Sequence, residues 1–507
     1  MVTLTQIYDG KFQYTADNIK DISHIQKACS HVFPDAEYSP KHISNGGKWD
    51  GIIRFYNKAT RTIPVGFEPL VREYLDSVGT PYSFKRMKPF ATYLPFSDTI
   101  RPYQKAAIKR FFIRKHGIIQ VPTRGGKTFI AAECIRHITH ESDIQVLFFV
   151  DTGDLFEQAI GDMHKHLKIP KSKIGTIRGD KFDPKQITVC MVQTVQSMLK
   201  QVKDFSKLTR EKIIAKRNRR NAMLALLHKV GFYVIDECHE YSSTPRIELI
   251  ERMKNAQFRL FISASPFKSE SELDNLNLRQ VSGEVIYIIP ENDLKEQGYL
   301  AQDSVLLLTV DHENNRNVQL TETDTYNDHI KRILTHNKHR NYVLVNTLEI
   351  CRKLGLKTLV LFARKEHGYF IKTITDDEFI SGDMEVKDRS RIKTSFLKKK
   401  GGVLLASDVF KKGITLPEVE VMVNAGGGLE KSLILQKKGR VLGVKGKKIK
   451  AMYIDIMDLY RHFSAHSQSR FEVYEESLPL ERITVLDSDD IDFYTDIRTA
   501  LKDWFEL

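Results

Sequence analysis

The stretch Val121-Pro-Thr-Arg-Gly-Gly-Lys-Thr128 sets a lysine, a hydroxyl and two adjacent glycines between an apolar run that predicts a strand and a segment with helical spacing. Backbone N–H groups in such a turn converge on one spot, and the helix N-terminus adds partial positive charge, so the segment is suited to wrapping phosphates. Lys127 would meet the β- and γ-phosphates of a nucleoside triphosphate, and Thr128 would offer its hydroxyl to Mg²⁺. Gly125 and Gly126 let the chain approach phosphate oxygens without a Cβ in the way. Pro122, Thr123 and Arg124 complete the loop, while Val121 stands where the usual pattern begins with glycine. Taken alone, the match competes with a chance Gly-rich turn.

About 110 residues further on, Phe232-Tyr-Val-Ile-Asp-Glu-Cys-His239 is an apolar run ending in two adjacent carboxylates. Asp236 is placed to hold Mg²⁺ directly or through water, and Glu237 to orient and activate the water that attacks in line. An ordinary acidic turn at a strand end is the bland alternative, and the upstream phosphate loop argues against it. His239 would link the nucleotide site to Ser263-Ala-Ser-Pro266, where Ser263 and Ser265 could register the state of the carboxylates through short hydrogen bonds. Ahead of the first helix lies Ile100-Arg-Pro-Tyr-Gln104. An amide at Gln104 can pair with the N6/N7 edge of adenine, which would select ATP, with Arg101 and Tyr103 beside it. A helix-start glutamine with no ligand is an equal reading of Gln104. Toward the C-terminus, Ala406-Ser-Asp-Val-Phe-Lys-Lys-Gly-Ile-Thr-Leu-Pro417 and Gln436-Lys-Lys-Gly-Arg440 follow predicted strands. Gly413 and Gln436 are candidate nucleotide contacts. Arg440 is the candidate cation for the charge that spreads over the γ-phosphoryl oxygens, and its delivery from a second domain would tie hydrolysis to domain closure.

Positioning these groups takes parallel sheets. Gly117 to Val121, Ile144 to Val150, Ile187 to Val192, Phe232 to Ile235 and Phe258 to Ser263 read as strands buried on both faces. Helical stretches such as Thr128 to Ile138 and Asp154 to Leu167 separate most of them, the alternation of a doubly wound sheet. Thr358 to Phe362, Gly402 to Ala406, Val419 to Val423 and Ala451 to Ile456 begin a second series. We therefore expect a small α+β domain over residues 1–90, an α/β domain over 91–288, a turn-forming linker over 289–300, a second α/β domain over 301–480, and a helical segment over 481–507 that packs on the core. Gly51 to Val65 suggests a hairpin. Lys200 to Arg220 is dense in charge, and a solvated helical face is favoured there over a nucleic-acid contact.

The 507 residues carry 78 Lys and Arg against 64 Asp and Glu, a net charge of +14 that favours a polyanionic partner. No run approaches a membrane span and no leader is evident, so a cytoplasmic protein is expected. Cys29, Cys134, Cys190, Cys238 and Cys351 are far apart and form no CxxC pair, so neither a disulfide framework nor a zinc knuckle is indicated.

The ordered set Tyr103-Gln104, Gly126-Lys127-Thr128, Asp236-Glu237-Cys238-His239, Ser263-Ala264-Ser265, Gly413-Ile414 and Gln436 to Arg440 spans about 340 residues and resembles helicase superfamily 2, with a DExH-type box. The resemblance implies two tandem RecA-like P-loop domains, ATP and Mg²⁺. Lys48-Trp-Asp-Gly-Ile-Ile-Arg-Phe-Tyr56 followed by Ile63-Pro-Val-Gly-Phe67 is similar to the leading domain of the phage UvsW-type recombination helicases. That likeness implies an ATP-dependent DNA helicase on forks, D-loops and recombination junctions, usually moving 3′ to 5′. It also implies recombination, repair or replication proteins as possible partners, and an infected bacterial cell as its place; a monomer is expected. Trp49, Arg54, Tyr56, Lys58 and Arg61 would offer DNA an aromatic and basic surface, or else form the hairpin core and its solvated rim. Gln193-Thr194 resembles the family's strand-tracking motif. The usual pattern has a small residue at Arg124 and an arginine at Gly443, which leaves Arg124 or Lys445 as possible partners of Arg440. Rival readings are an RNA helicase or remodeller, the translocating subunit of a restriction system, and a nonenzymatic nucleic-acid clamp with a decayed ATP site.

Overall fold

The computed structural model describes residues 1–7, 10–33, 36, 49–92, 94–140, 142–200, 209–267, 269, 271–312, 324–407, 416, 418–427, 443–444 and 449–507. Among these, Met1–Pro122 and Gly126–Ile289 form one compact unit, and Pro290–Leu507 with the three residues Thr123–Gly125 falls in a second.

The N-terminal part of the first unit holds β1 (Val2–Ile7), β2 (Lys11–Ala16), β3 (Ser30–Val32), β4 (Ile52–Arg54), β5 (Thr62–Pro64) and β6 (Tyr82–Lys85). Val2 and Leu4 alternate with exposed neighbours on β1, as do Phe12 and Tyr14 on β2, and bury against Ile25, Val71 and Leu75 of two helices, Ile19–Ala28 and Glu68–Ser77. The sheet order is β5-β2-β1-β6. The expected Gly51 to Val65 hairpin is not a self-paired ribbon: β4 pairs with β3, β5 pairs with β2, and only the bridge Asn57–Thr62 closes the turn between them. Pro64 and Gly66 prevent a regular ladder here, since proline donates no bond and the chain turns at once into a short 3-10 helix at Val65–Phe67.

That turn seats the N-terminal part on the helix Glu272–Ser282. A Cβ built on Gly66 would collide with the backbone oxygen of Arg279 and touch Gly283, so only glycine allows this approach. Beside it the buried Glu68 carboxylate gathers Arg72 at 2.8 Å, Arg86, and Arg114 at 3.6 Å, and Arg114 also pairs with Glu284.

The first α/β sheet contains β7 (His116–Gln120), β8 (Gln145–Val150), β9 (Ile174–Arg178), β10 (Lys181–Asp183), β11 (Ile187–Met191), β12 (Val230–Asp236), β13 (Phe258–Ser263) and β14 (Val285–Ile288). Their order is β10-β9-β11-β8-β12-β13-β7-β14, parallel throughout except for β10. The five expected strands are present within one or two residues of their anticipated ends.

The second unit carries β15 (Gln302–Asp311), β16 (Lys357–Phe362), β17 (Glu378–Ile380), β18 (Gly402–Ser407), β19 (Val421–Asn424), β20 (Lys450–Leu459) and β21 (Ile483–Asp487), ordered β17-β18-β16-β19-β20-β15-β21 with every pair parallel. The architecture is two RecA-like parallel sheets with a small α+β part in front. Two local expectations need correction. Pro290 to Gly298 is not merely a turn, because Glu291–Glu296 is helical with Leu294 and Lys295 buried. The segment from Glu481 is not wholly helical, since Ile483–Asp487 adds the edge strand β21 before the helix Phe493–Phe505 begins.

Two buried ion networks brace this sheet. Asp458 at the end of β20 accepts from Arg340 Nε at 2.7 Å and lies 3.0 Å from His312 Nε2. Asp455, three residues earlier on β20 and on the opposite face of the sheet, receives Arg470 Nε at 2.9 Å, Tyr474 OH at 2.7 Å and Asn424 Nδ2 at 2.9 Å. All five cysteines are free and buried.

Candidate active site

The phosphate loop leaves β7 at Gln120 and enters the helix Lys127–Thr139. Arg124 and Gly126 both take left-handed backbone angles, at φ 71° and 85°. Gly126 suits this left-handed angle, where a side chain would be strained, and a Cβ there would also push against the Nε2 end of the Gln104 side chain. Gln104 itself is buried and accepts from the Arg101 backbone N–H at 3.0 Å, so it caps the helix Pro102–Arg114 while its amide nitrogen lies over the loop. Arg101 in turn donates to the Tyr103 hydroxyl at 3.1 Å. The helix-start role of Gln104 and its closeness to the phosphate loop thus coexist.

β12 delivers the carboxylates to the same place. Lys127 Nζ lies 2.8 Å from Glu237 Oε1. Burial works against the ammonium, but Glu237 and Asp236 outweigh it and hold the Lys127 pKa above its ordinary value. Asp236 is pushed up to about 7, chiefly by burial and then by the Glu237 carboxylate, with Lys127 opposing. A carboxylate this reluctant to ionise gains from a nearby cation, which fits a divalent ion shared with the Thr128 hydroxyl. Glu237 sits at φ 49°, an uncommon angle for a non-glycine residue, in the turn where its carboxylate meets Lys127.

Next along the chain, His239 Nδ1 lies 2.8 Å from the Ser263 hydroxyl, and that hydroxyl also accepts from the Ser265 backbone N–H at 3.3 Å. The Ser263 carbonyl accepts from Val121 N–H at 2.9 Å. The carboxylate turn, the serine strand and the start of the phosphate loop are therefore joined by direct bonds.

Sequence reasoning missed three contributors. Asp162, on the helix Gly153–Leu167, is raised by burial and hydrogen-bonds the Thr128 side chain, so it touches the hydroxyl expected to bind the metal. Arg246 donates to Glu240 O at 2.9 Å and reaches Asp151 Oδ1 at 2.6 Å. The Asp151 carbonyl accepts from Gln193 at 2.8 Å, which carries the connection from the carboxylate turn to the helix bearing Thr194. Nothing in local spacing signals a link between residues 95 positions apart, as Asp151 and Arg246 are.

Thr194 lies at the exit edge of the sheet, its hydroxyl accepting from Gly179 N–H at 3.0 Å. On the N-terminal part, Trp49 packs against Phe33 and donates to Ile52 O at 3.3 Å, and Arg54 pairs with Asp50. Lys58 and Arg61 are exposed on the turn closed by Asn57 and Thr62. Gly413, Gln436 and Arg440, together with Lys445, lie outside the described residues.

Comparison with known proteins agrees with this geometry. Residues 97–268 match the family model described as type III restriction enzyme, res subunit, and residues 325–443 match the helicase conserved C-terminal domain. The chain is 24% identical to the ATP-dependent DNA helicase uvsW of Enterobacteria phage T4, over 81% of this chain and 82% of that protein. It is 23% identical to the DNA 3'-5' helicase XPB of Kineococcus radiotolerans, over 78% of this chain and 65% of that one. Among solved structures, S. cerevisiae Dbp5 bound to RNA and ADP BeF3 superposes with a TM-score of 0.53 at 15% identity, covering 79% of this chain and 93% of that chain, which supports the fold. With a phosphate loop and paired carboxylates in place, and family models matching most of the first RecA-like sheet and the middle strands of the second, the chain is an ATP-dependent helicase of superfamily 2.

Proposed function

We propose that this helicase is a DNA motor of the DExH type that remodels branched DNA, such as forks, D-loops and recombination junctions, during phage recombination, repair or replication in an infected cell. The observation that carries this reading is the similarity to the phage helicase named above, which runs over about four fifths of both chains. The net charge of +14 and the exposed Lys58 and Arg61 suit a nucleic-acid track. The XPB likeness favours 3′-to-5′ movement. Among the described residues, no helix is long and apolar enough to cross a membrane.

In this reading Lys127 leaves its ion pair with Glu237 to meet the β- and γ-phosphates of ATP, and Gln104 selects adenine. Mg²⁺, held by Thr128 and Asp236, would neutralise phosphate charge. Glu237, released from Lys127, orients a water molecule and takes its proton as the water oxygen bonds to the γ-phosphorus; the bond to the β–γ bridging oxygen breaks and ADP departs. Arg440 supplies the trans-acting cation. His239, Ser263 and Ser265 pass the change on, and Thr194 with the Trp49 to Arg61 surface engages DNA. The protein works as a monomer.

The test is ATPase stimulation by forked DNA, linear duplex and single-stranded RNA, measured side by side. Forked DNA is expected to stimulate most. Stimulation by RNA alone would overturn the choice of track in favour of an RNA remodeller.

A further inference from the structure

The helix Arg210–Lys229 is dense in charge over its first half, and neither the ATP site nor the strand-tracking motif uses it. Its course through the first sheet can be fixed from three contacts. Lys229 leads directly into β12, so the C-terminal end of the helix lies at the entry edge of the parallel strands. Arg219 donates to Asp180 Oδ1 at 3.2 Å and to the Gly179 carbonyl, in the turn that follows β9 at the exit edge. Arg220 donates to Leu199 O at 3.1 Å. The helix therefore runs back along the sheet and reaches the exit edge near Arg219. At 1.5 Å per residue, the nine residues from Arg210 to Asn218 extend it about 14 Å further, beyond that edge.

This projecting half has no core of its own. Arg210, Lys212, Ile214, Lys216, Arg217 and Asn218 are exposed. Residues 210–220 contain six cations and one acid, Glu211. Only Arg219 and Arg220 are tied down; among the described residues Arg210, Lys212, Lys216 and Arg217 form no ion pair or side-chain hydrogen bond. A surface that holds this much like charge unpaired weakens the isolated helix, a cost a polyanion would remove.

The faces differ. Lys212, Lys216 and Arg219 are spaced i, i+4, i+7 and share one side of the helix, whereas Arg210 and Arg217 lie on the opposite side. Because Arg219 points at the Gly179–Asp180 turn, the Lys212–Lys216 side continues outward above that turn. The same turn donates its Gly179 N–H to Thr194. In parallel α/β sheets ligands bind outside the carboxyl ends of the strands, so the lysines overlook the edge where a track would run. The segment 210–220 has no aromatic residue on which bases could stack, which favours contact with phosphates of a closed duplex over capture of a single strand.

We propose that the Lys212–Lys216 face of this projecting helix binds the phosphate backbone of a duplex DNA arm as it passes the exit edge of the first sheet. The proposal rests on the DNA-motor reading and adds to it a second, sequence-independent contact that would keep hold of one arm of a branch while the motor works on another.

The test compares the double variant K212Q/K216Q with R210Q/R217Q, which loses the same charge from the opposite face. Both alter exposed side chains only, and an unchanged ATPase rate without DNA verifies that each is folded. Forked-DNA binding is measured by fluorescence anisotropy across a salt series. K212Q/K216Q is expected to weaken binding by roughly tenfold and to flatten the slope of log K against log salt by about 2, since each lost phosphate contact removes about 0.9. R210Q/R217Q should stay near wild type. Equal effects of the two variants, whether large or small, would overturn the proposal while leaving wild-type DNA stimulation intact. If the wild-type protein responds to RNA alone, the DNA-motor reading fails and this contact fails with it.

Discussion

Lys127 and Glu237 pair at 2.8 Å, and in the proposed reading ATP separates them. Replacing Glu237 with glutamine keeps the shape but removes the charge that can accept a proton from water. Turnover in E237Q should fall by roughly 10²- to 10⁴-fold, the usual worth of general-base action. Nucleotide binding, followed with a fluorescent ATP analogue, should hold or tighten, because Lys127 loses its ion pair. An unchanged rate would mean that another group activates the water. Arg246 offers a separate test, since it touches no expected phosphate position and instead ties Glu240 O to Asp151. R246A should retain its DNA-independent ATPase rate and lose most of the stimulation by forked DNA; parallel loss of both rates would assign Arg246 to folding alone. The contrast between these two residues marks what the sequence discloses at this scale. Lys127, Asp236 and Glu237 are legible because phosphate chemistry demands those groups in that order on strand ends. Asp151, Asp162 and Arg246 are not, because only the packed sheet brings them to the site.

Elements carry their own demands, clearest at Gly66 and Asp458. G66A puts a Cβ onto the Arg279 carbonyl, and backbone does not yield as a flexible side chain would. Overpacking of this kind costs about 1–3 kcal/mol, and the melting temperature of the first unit should drop accordingly. A wild-type melting curve would show that the seat of the N-terminal part can relax. In the second unit burial pushes the Asp458 carboxyl up, but Arg340 and then His312 outweigh it and hold it at about 2. An unfolded aspartate titrates near 3.9. The folded value is the lower one, so its contribution, about 2 kcal/mol, is present above about pH 4 and is lost as pH falls toward 2. D458N leaves the Arg340 guanidinium buried without its counter-charge and should cost about 3–5 kcal/mol at neutral pH by denaturant unfolding. The gap between wild type and D458N should narrow from pH 4 to pH 2; a constant gap would detach the effect from this ion pair. Strands such as Phe258–Ser263 were readable because parallel strands covered on both faces are unbroken apolar runs. Ile174–Arg178, Glu378–Ile380 and Ile483–Asp487 escaped because they are short, mixed in polarity, and lie at or next to a sheet edge. The Gly51 to Val65 segment misled for a different reason: its two arms find partners elsewhere in the chain, which local alternation cannot reveal.

For the whole molecule, the central expectation is that neither α/β unit hydrolyses ATP alone. The first carries the described groups that would hold phosphate or activate water: Lys127 and Thr128 open the helix that follows the phosphate loop, and Asp236 and Glu237 stand at the end of β12 and in the turn beyond it. The transition state also calls for a second cation aimed at the charge that builds on the γ-phosphoryl oxygens. Arg440 belongs to the match with the helicase conserved C-terminal domain, which ends at residue 443, and it is our candidate for that cation. Such a charge stabilises the transition state more than bound ATP, so its loss should appear in kcat and leave KM comparatively unmoved. R440A is therefore expected to lose turnover by roughly 10³- to 10⁵-fold, the range seen for trans-acting arginines, while forked-DNA affinity changes little. R440K separates charge from geometry: a lysine retains the positive charge but not the planar fork, so only slight recovery is expected. Near-normal turnover in R440A would move the role to Arg124 or Lys445, the cations nearest the two departures from the usual pattern at Arg124 and Gly443. Because the first unit has its own core and itself carries Lys127, Thr128, Asp236 and Glu237, R440A should still bind nucleotide. Loss of nucleotide binding along with turnover would show that Arg440 holds the ground state, and coupling of hydrolysis to movement would then need a different trigger.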